Sequence, residues 1–199
     1  MGRVQSEHLL RVVSFLRGIG IVSDVVPGAR GFMPGVRIHQ GGLQISPEAG
    51  LSEVLHEAGH LAVLPGRFRR LACDDVSVVQ KLMMDTVDFT NPDEGEARAA
   101  LQSGDTEATA WAWAAGEYLE LKPTEVVRNN DYGGTGRDVR MCLQARAYLG
   151  INGLASAGFC VTRPGLLEKM KGLPAYPRLA MWVQHDFQTA PDVLGQAAQ

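Results

Sequence analysis

"VLHEAGHLAV", residues 54–63, sets His56 and His60 four apart with Glu57 directly after the first histidine. Around it Leu51, Val54, Leu55, Ala58, Leu61 and Ala62 recur with helical spacing until Pro65-Gly66 stops the run. The pattern predicts a buried helix with both imidazoles on one face, because residues four apart on a helix lie one turn above each other. Two such nitrogens can reach one tetrahedral ion at roughly 2.0–2.1 Å, the usual zinc–nitrogen distance. Glu57 stands beside them, able to take a proton from a water whose pKa zinc lowers to about 7. Composition alone would produce His-Glu-x-x-His in roughly one chain in a hundred, so what gives the motif weight is its position inside a predicted helix.

The flanking segments support that placement. In "GVRIHQGGLQIS", Val36 and Ile38 alternate with Arg37 and His39, and Leu43 and Ile45 resume the alternation. This predicts a β-hairpin over 35–46, with Gly41-Gly42 supplying the positive φ angles of its turn. Ser46-Pro47-Glu48 then reads as a helix start: a capping hydroxyl, a proline at the first position and an acid near the positive end. Further upstream, Leu9, Val12, Val13 and Leu16 predict an amphipathic helix over 7–17 capped by Ser6, and "GIGIVSDVVPG" is strand-like.

Downstream, "DDVSVVQKLMMDTVDF" reads as a helix and "NPDEGEARAALQSGD" as a mobile or short-helical connector. The alanine-rich "TEATAWAWAAGEYLEL" predicts a helix from Asp105 or Thr106 to Leu121, ended before Pro123. Pro123-Thr124 opens a short helix, "DYGGTG" reads as a flexible loop, and 137–148 as helix. Beyond Gly150 the glycines and prolines predict packed loops with short helical pieces.

A catalytic zinc usually takes three protein ligands and a water. The extended metzincin motif would require a glycine at position 63 and a histidine at 66; Val63 and Gly66 exclude it. The third ligand therefore comes from elsewhere, and the helix opening "GDTEATAWAWAA" offers two acids. Glu107 is preferred, because it reaches farther and has Ala110, Ala114 and Ala115 in a small-residue stripe behind it. Asp105 is the alternative, with Ala108 and Ala112 behind it, although an aspartate there reads first as the helix N-cap.

The short helix, the hairpin "GVRIHQGGLQISPEAG", the helix "LSEVLHEAGHLAV" and the later acid-bearing "EATAWAWAA" together resemble the ImmA/IrrE-type zinc metallopeptidases. The resemblance covers residues 5–121. It implies an α+β, mainly helical zincin-like fold with a small sheet before the motif helix. It also implies His56 and His60 as zinc ligands, Glu57 as the catalytic glutamate, and a glutamate of a following helix completing a gluzincin-like site. In such relatives the substrate is often a DNA-binding repressor. Here the Asn usual in that family's acid helix is missing four residues after either candidate, and both registers stay open. Residues 122–199 fall outside the resemblance, as a helical and irregular extension of the same domain.

Other features point to packing. Trp111, Trp113, Phe89 and Trp182 read as core, His39 and His185 as ordinary surface or core histidines, and Arg67, Arg69 and Arg70 as a solvated loop. Tyr132, flanked by glycine, reads first as a surface turn and second as a donor to a developing oxyanion. The chain has 199 residues, enough for one domain with a sizeable core. A net charge of −3 gives no basic footprint for nucleic acid. Cys73, Cys142 and Cys160 are odd in number and unpaired in spacing, which suggests buried thiols in a reducing compartment. Charges interrupt "SEHLLRVVSFLRGIGIV" before it could serve as an export signal, and no run is long enough to span a membrane. The expectation is a cytoplasmic, one-zinc peptidase acting on a protein or peptide. The alternative is a catalytically inactive zinc-binding or partner-binding module.

Overall fold

The computed structural model describes residues 2–187. It is α+β: eleven helical segments surround one small sheet among the described residues. Helix α1 (Gly2–Gly18) leads into β1 (Ser23–Val25), then β2 (Val36–His39) and β3 (Gly42–Ile45). The sheet order is β1-β3-β2, with β3 parallel to β1 and antiparallel to β2. Next come α2 (Leu51–Val63), α3 (Gly66–Arg69), α4 (Val76–Thr86), α5 (Gly95–Leu101) and α6 (Asp105–Tyr118). The chain continues through α7 (Pro123–Val126), α8 (Asp131–Gly134), α9 (Gly136–Gln144), α10 (Leu149–Ser156) and α11 (Leu166–Lys171). One core cluster runs from Leu9 on α1 to Tyr176, so residues beyond 121 share the core of those before it. No described helix is long and apolar enough to cross a membrane.

The hairpin forms where the alternation placed it, but its turn lies one residue earlier. Gln40 (φ 49°) and Gly41 (φ 76°) are the central pair, and Gly42 belongs to β3, facing His39. Gly42 serves close approach instead of the turn: a Cβ there would stand 2.7 Å from the Val22 carbonyl oxygen, where the chain enters β1. Ser46-Pro47-Glu48 is also a turn rather than a helix start. Ala49 N–H bonds back to the Ser46 carbonyl, the Ser46 hydroxyl is spent on the Glu48 carboxylate, and α2 begins at Leu51. Ser6 lies inside α1 rather than capping it.

Helix α2 is buried along nearly its whole length, with His56 the one residue left partly open. Its C-terminal end is held by Arg69, which donates to the carbonyls of Leu61 and Leu64 at 2.7 and 3.1 Å. The "GRFRRL" basic cluster is therefore structural rather than a freely solvated loop: Arg67 pairs with Glu96, Arg70 with Asp186, and Arg69 satisfies orphan carbonyls of α2.

Helix α6 packs along α2 and is buried from Glu107 to Gly116. It ends at Tyr118 rather than Leu121, because Glu120 turns to φ 53° and Leu121 N–H closes onto the Gly116 carbonyl. Helix α9 ends at Gln144, before Arg146 at φ 55°. Trp111 is fully buried and donates its indole N–H to the Trp182 carbonyl at 2.8 Å. Of the three free cysteines only Cys160 is buried; Cys73 and Cys142 are exposed, against the expectation of buried thiols.

Candidate metal centre

Helices α2 and α6 come close together within the motif. Gly59 leaves room there: a Cβ at this position would meet the Ala108 carbonyl oxygen at 2.4 Å and the Ala108 Cα at 2.9 Å. Backbone against backbone at that point draws the first turn of α6 over the imidazoles of His56 and His60. That turn is capped by Gly104, whose N–H donates to Glu107 Oε2 at 3.2 Å, and Asp105 is the first helical residue instead of the cap.

The two acids then diverge. Asp105 Oδ1 lies 3.1 Å from His60 Nε2 and 3.9 Å from His56 Nε2, and the two Nε2 atoms stand 3.2 Å apart. Glu107 turns away into the protein: it accepts from Gly104 N–H and from the Thr106 hydroxyl, and it packs where a Cβ on Gly153 of α10 would meet Oε1 at 2.0 Å. The donors that converge are thus His56, His60 and Asp105, whose ligand atoms lie within 4.8 Å of one another. Glu107, preferred from the sequence, closes the helix start instead.

This group can hold a metal ion. Ligand distances of roughly 2.0–2.1 Å in a tetrahedron put donors about 3.3–3.4 Å apart. Two of the three edges, 3.2 and 3.1 Å, sit close to that spacing. Burial, and after it the neighbouring His60, lowers the His56 pKa from 6.5 to about 4, leaving the neutral imidazole that ligates metals. The hydrogen bond from His60 holds the Asp105 carboxyl below its usual range, as the anion. Neither Nδ1 atom has a partner among the described residues, so packing and the Nε2 contacts orient the rings, which meet edge to face at 84°.

The point of convergence is open on one side. The side chains of His56 and His60 are 16% and 8% exposed, whereas that of Asp105 is 81% exposed. Glu57 is buried beside the group, and burial raises its pKa. Two cavities flank the carboxylate. One, of about 200 Å³, is lined by Glu57, His60 and Asp105 together with Asp75 and Gln80 of the α4 region. The other, of about 390 Å³, is lined by His56, Asp105, Met33, Tyr132 and Tyr148. Phe32, 86% exposed, lines both.

Tyr132 is not a plain surface turn. It takes φ 55° inside α8, bonds the buried Thr109 hydroxyl at 2.8 Å and meets the His56 ring edge to face, with centroids 6.2 Å apart. Burial pushes its pKa up to about 12, so it is a neutral phenol. Gly133 and Gly134 follow it at positive φ, and that pair of glycines was the signal in the sequence. The sequence carried no comparable signal for Phe32, Met33 and Tyr148. His39 and His185 lie outside the group. No protein-family model, curated protein or solved structure matches the chain.

Proposed function

We propose that the protein is a zinc-dependent metallopeptidase, hydrolysing a peptide bond in a protein or peptide substrate in the cytoplasm, on a zincin-like core. The observation that carries this is the convergence of His56, His60 and Asp105 at one open point, with the buried Glu57 adjacent. Zinc suits two imidazoles and one carboxylate, and three protein ligands leave a position for water, as in catalytic rather than structural sites. When bound, the ion would supply Lewis acidity toward a water and a peptide carbonyl.

The chain's own groups do the rest. Asp105 and the two imidazoles fix the reacting point between the two cavities, so that a substrate strand lying across it extends into both. Glu57 takes a proton from the attacking water on its carboxylate and returns it to the departing amine. Its burial raises its pKa, which makes the carboxylate a stronger base toward that water.

The test is metal analysis combined with digestion of an unfolded protein such as casein. One equivalent of zinc, hydrolysis abolished by chelator, and a Glu57→Gln variant that keeps the zinc but not the activity are expected. Protein that binds only a trace of zinc, or a Glu57→Gln variant as active as the parent, sinks the reading.

A further inference from the structure

The cavity of about 390 Å³ on the His56 side differs in character from the one on the Glu57 side. Its walls are Phe32, Met33, Val126, Tyr132 and Tyr148, contributed by the β1–β2 loop, α7, α8 and the start of α10. The polar groups on its rim are already engaged. Ser52 donates to Glu53 at 3.1 Å, Thr106 to Glu107 at 2.9 Å, and Tyr132 shares a bond with Thr109 at 2.8 Å. Asp131 is held by Arg128, through its backbone N–H at 2.7 Å and its guanidinium at 3.1 Å. What faces the space is therefore mainly aromatic and aliphatic surface.

Its position narrows the occupant further. His56 and Asp105 form part of the same wall, so the cavity begins at the metal centre. Its volume lies at the lower end of the roughly 300–1,000 Å³ typical of small-molecule sites. That accommodates one large side chain and its flanking backbone, not a helix. A basic occupant would find no free carboxylate away from the metal, and an acidic one would face Asp105 and Asp131.

We infer that this cavity is the specificity pocket, taking a large apolar and preferably aromatic residue next to the bond that is cut. The inference rests on the metallopeptidase reading for the word "cut", but the pocket itself is tested without catalysis. The probes are the N-acetyl amides of phenylalanine, leucine, alanine, lysine and glutamate, titrated into the full chain with zinc and again with chelator. Binding is followed by NMR. The phenylalanine amide is expected to bind about tenfold or more tighter than the alanine amide, the discrimination an apolar pocket gives. Tyr148→Ala, which removes an aromatic wall, and Met33→Asp, which places a charge at a half-buried position of the β1–β2 loop, should each erase most of that preference. Met33→Asp should in addition favour the lysine amide.

Equal binding of all five amides overturns the inference, and so does a preference for phenylalanine untouched by both variants. Casein cleavage sites supply a second readout: cuts flanked by Phe, Tyr, Trp, Leu or Met support the pocket, and cuts clustering at charged residues refute it. Failure of the underlying reading looks different. It would show as absent zinc and absent cleavage, while the amide titration still decides the pocket.

Discussion

Gly59→Ala tests whether the closeness of two helices sets the metal centre. The added Cβ would lie 2.4 Å from the Ala108 carbonyl oxygen. A tolerable carbon–oxygen contact is roughly 3.3 Å, so about 0.9 Å must be found. Both partners are helix backbone, so the gap opens by separating α2 from α6. His60 is the next residue on one helix and Asp105 lies a turn before Ala108 on the other, and their 3.1 Å approach stretches toward about 4 Å. Metal sites tolerate about ±0.2 Å, and although the exposed Asp105 side chain can follow part of the way, zinc affinity should fall by roughly 10–100-fold. Overpacking costs about 1–3 kcal/mol, and replacing a mid-helix glycine by alanine returns about 1 kcal/mol. The metal-free variant should therefore be less stable by about 1 kcal/mol, a melting temperature some 2–4 °C lower for a chain of this size. Competition with a chromophoric chelator and thermal unfolding in chelator measure the two quantities. An alanine variant that melts higher than the parent and binds zinc equally well would refute the close approach and the account of the site built on it.

Asp105→Asn should lower zinc affinity by more than about 100-fold, whereas Glu107→Gln, whose amide oxygen can still accept the Gly104 and Thr106 bonds, should leave both zinc affinity and the helix start nearly unchanged; the opposite pair of affinities would make Glu107 the ligand. In chelator, acid should destabilise the protein through His56. Its folded pKa of about 4 lies below 6.5, so between those values the unfolded chain takes up a proton that the folded chain refuses, and stability present above pH 6.5 is lost as pH falls toward 4. The loss is at most about 3 kcal/mol, and urea titrations at pH 7 and 4.5 should show it reduced in His56→Gln. Arg128→Met leaves the buried Glu53 carboxylate unpaired and should cost about 2 kcal/mol, discounted because the guanidinium itself is half exposed; Glu53→Gln in the same background should recover part of it in thermal melts.

These effects turn on contacts that sequence periodicity registers unevenly. The motif helix was legible because its apolar spacing and its two histidines obey the same 3.6-residue period, and the hairpin because strict alternation survives a one-residue shift of its turn. The third donor was not legible. Asp105 and Glu107 occupy the first and third positions of α6, and which one faces the imidazoles depends on the helix starting after Gly104 and on Glu107 being drawn back to cap it. Glycine misled for a related reason. The glycines of "GINGLASAGF", residues 150–159, read as marks of packed loops with short helical pieces, yet Gly150 and Gly153 lie in α10, where a Cβ would meet the Thr106 carbonyl oxygen at 1.9 Å and the Glu107 carboxylate at 2.0 Å. A glycine that serves close approach and one that serves a turn are the same letter, and only the partner surface distinguishes them. The two surfaces act together here: α10 presses on Thr106 and Glu107 from one side and Gly59 receives Ala108 from the other, which clamps the first turns of α6 and leaves Asp105 as the acid at the opening. Residues beyond 121, outside the resemblance, thereby hold the proposed ligand in place, so Gly153→Ala should loosen zinc binding although it lies on neither ligand-bearing helix. Unchanged zinc affinity in that variant, with its fold intact by circular dichroism, would show that α10 is not part of the clamp.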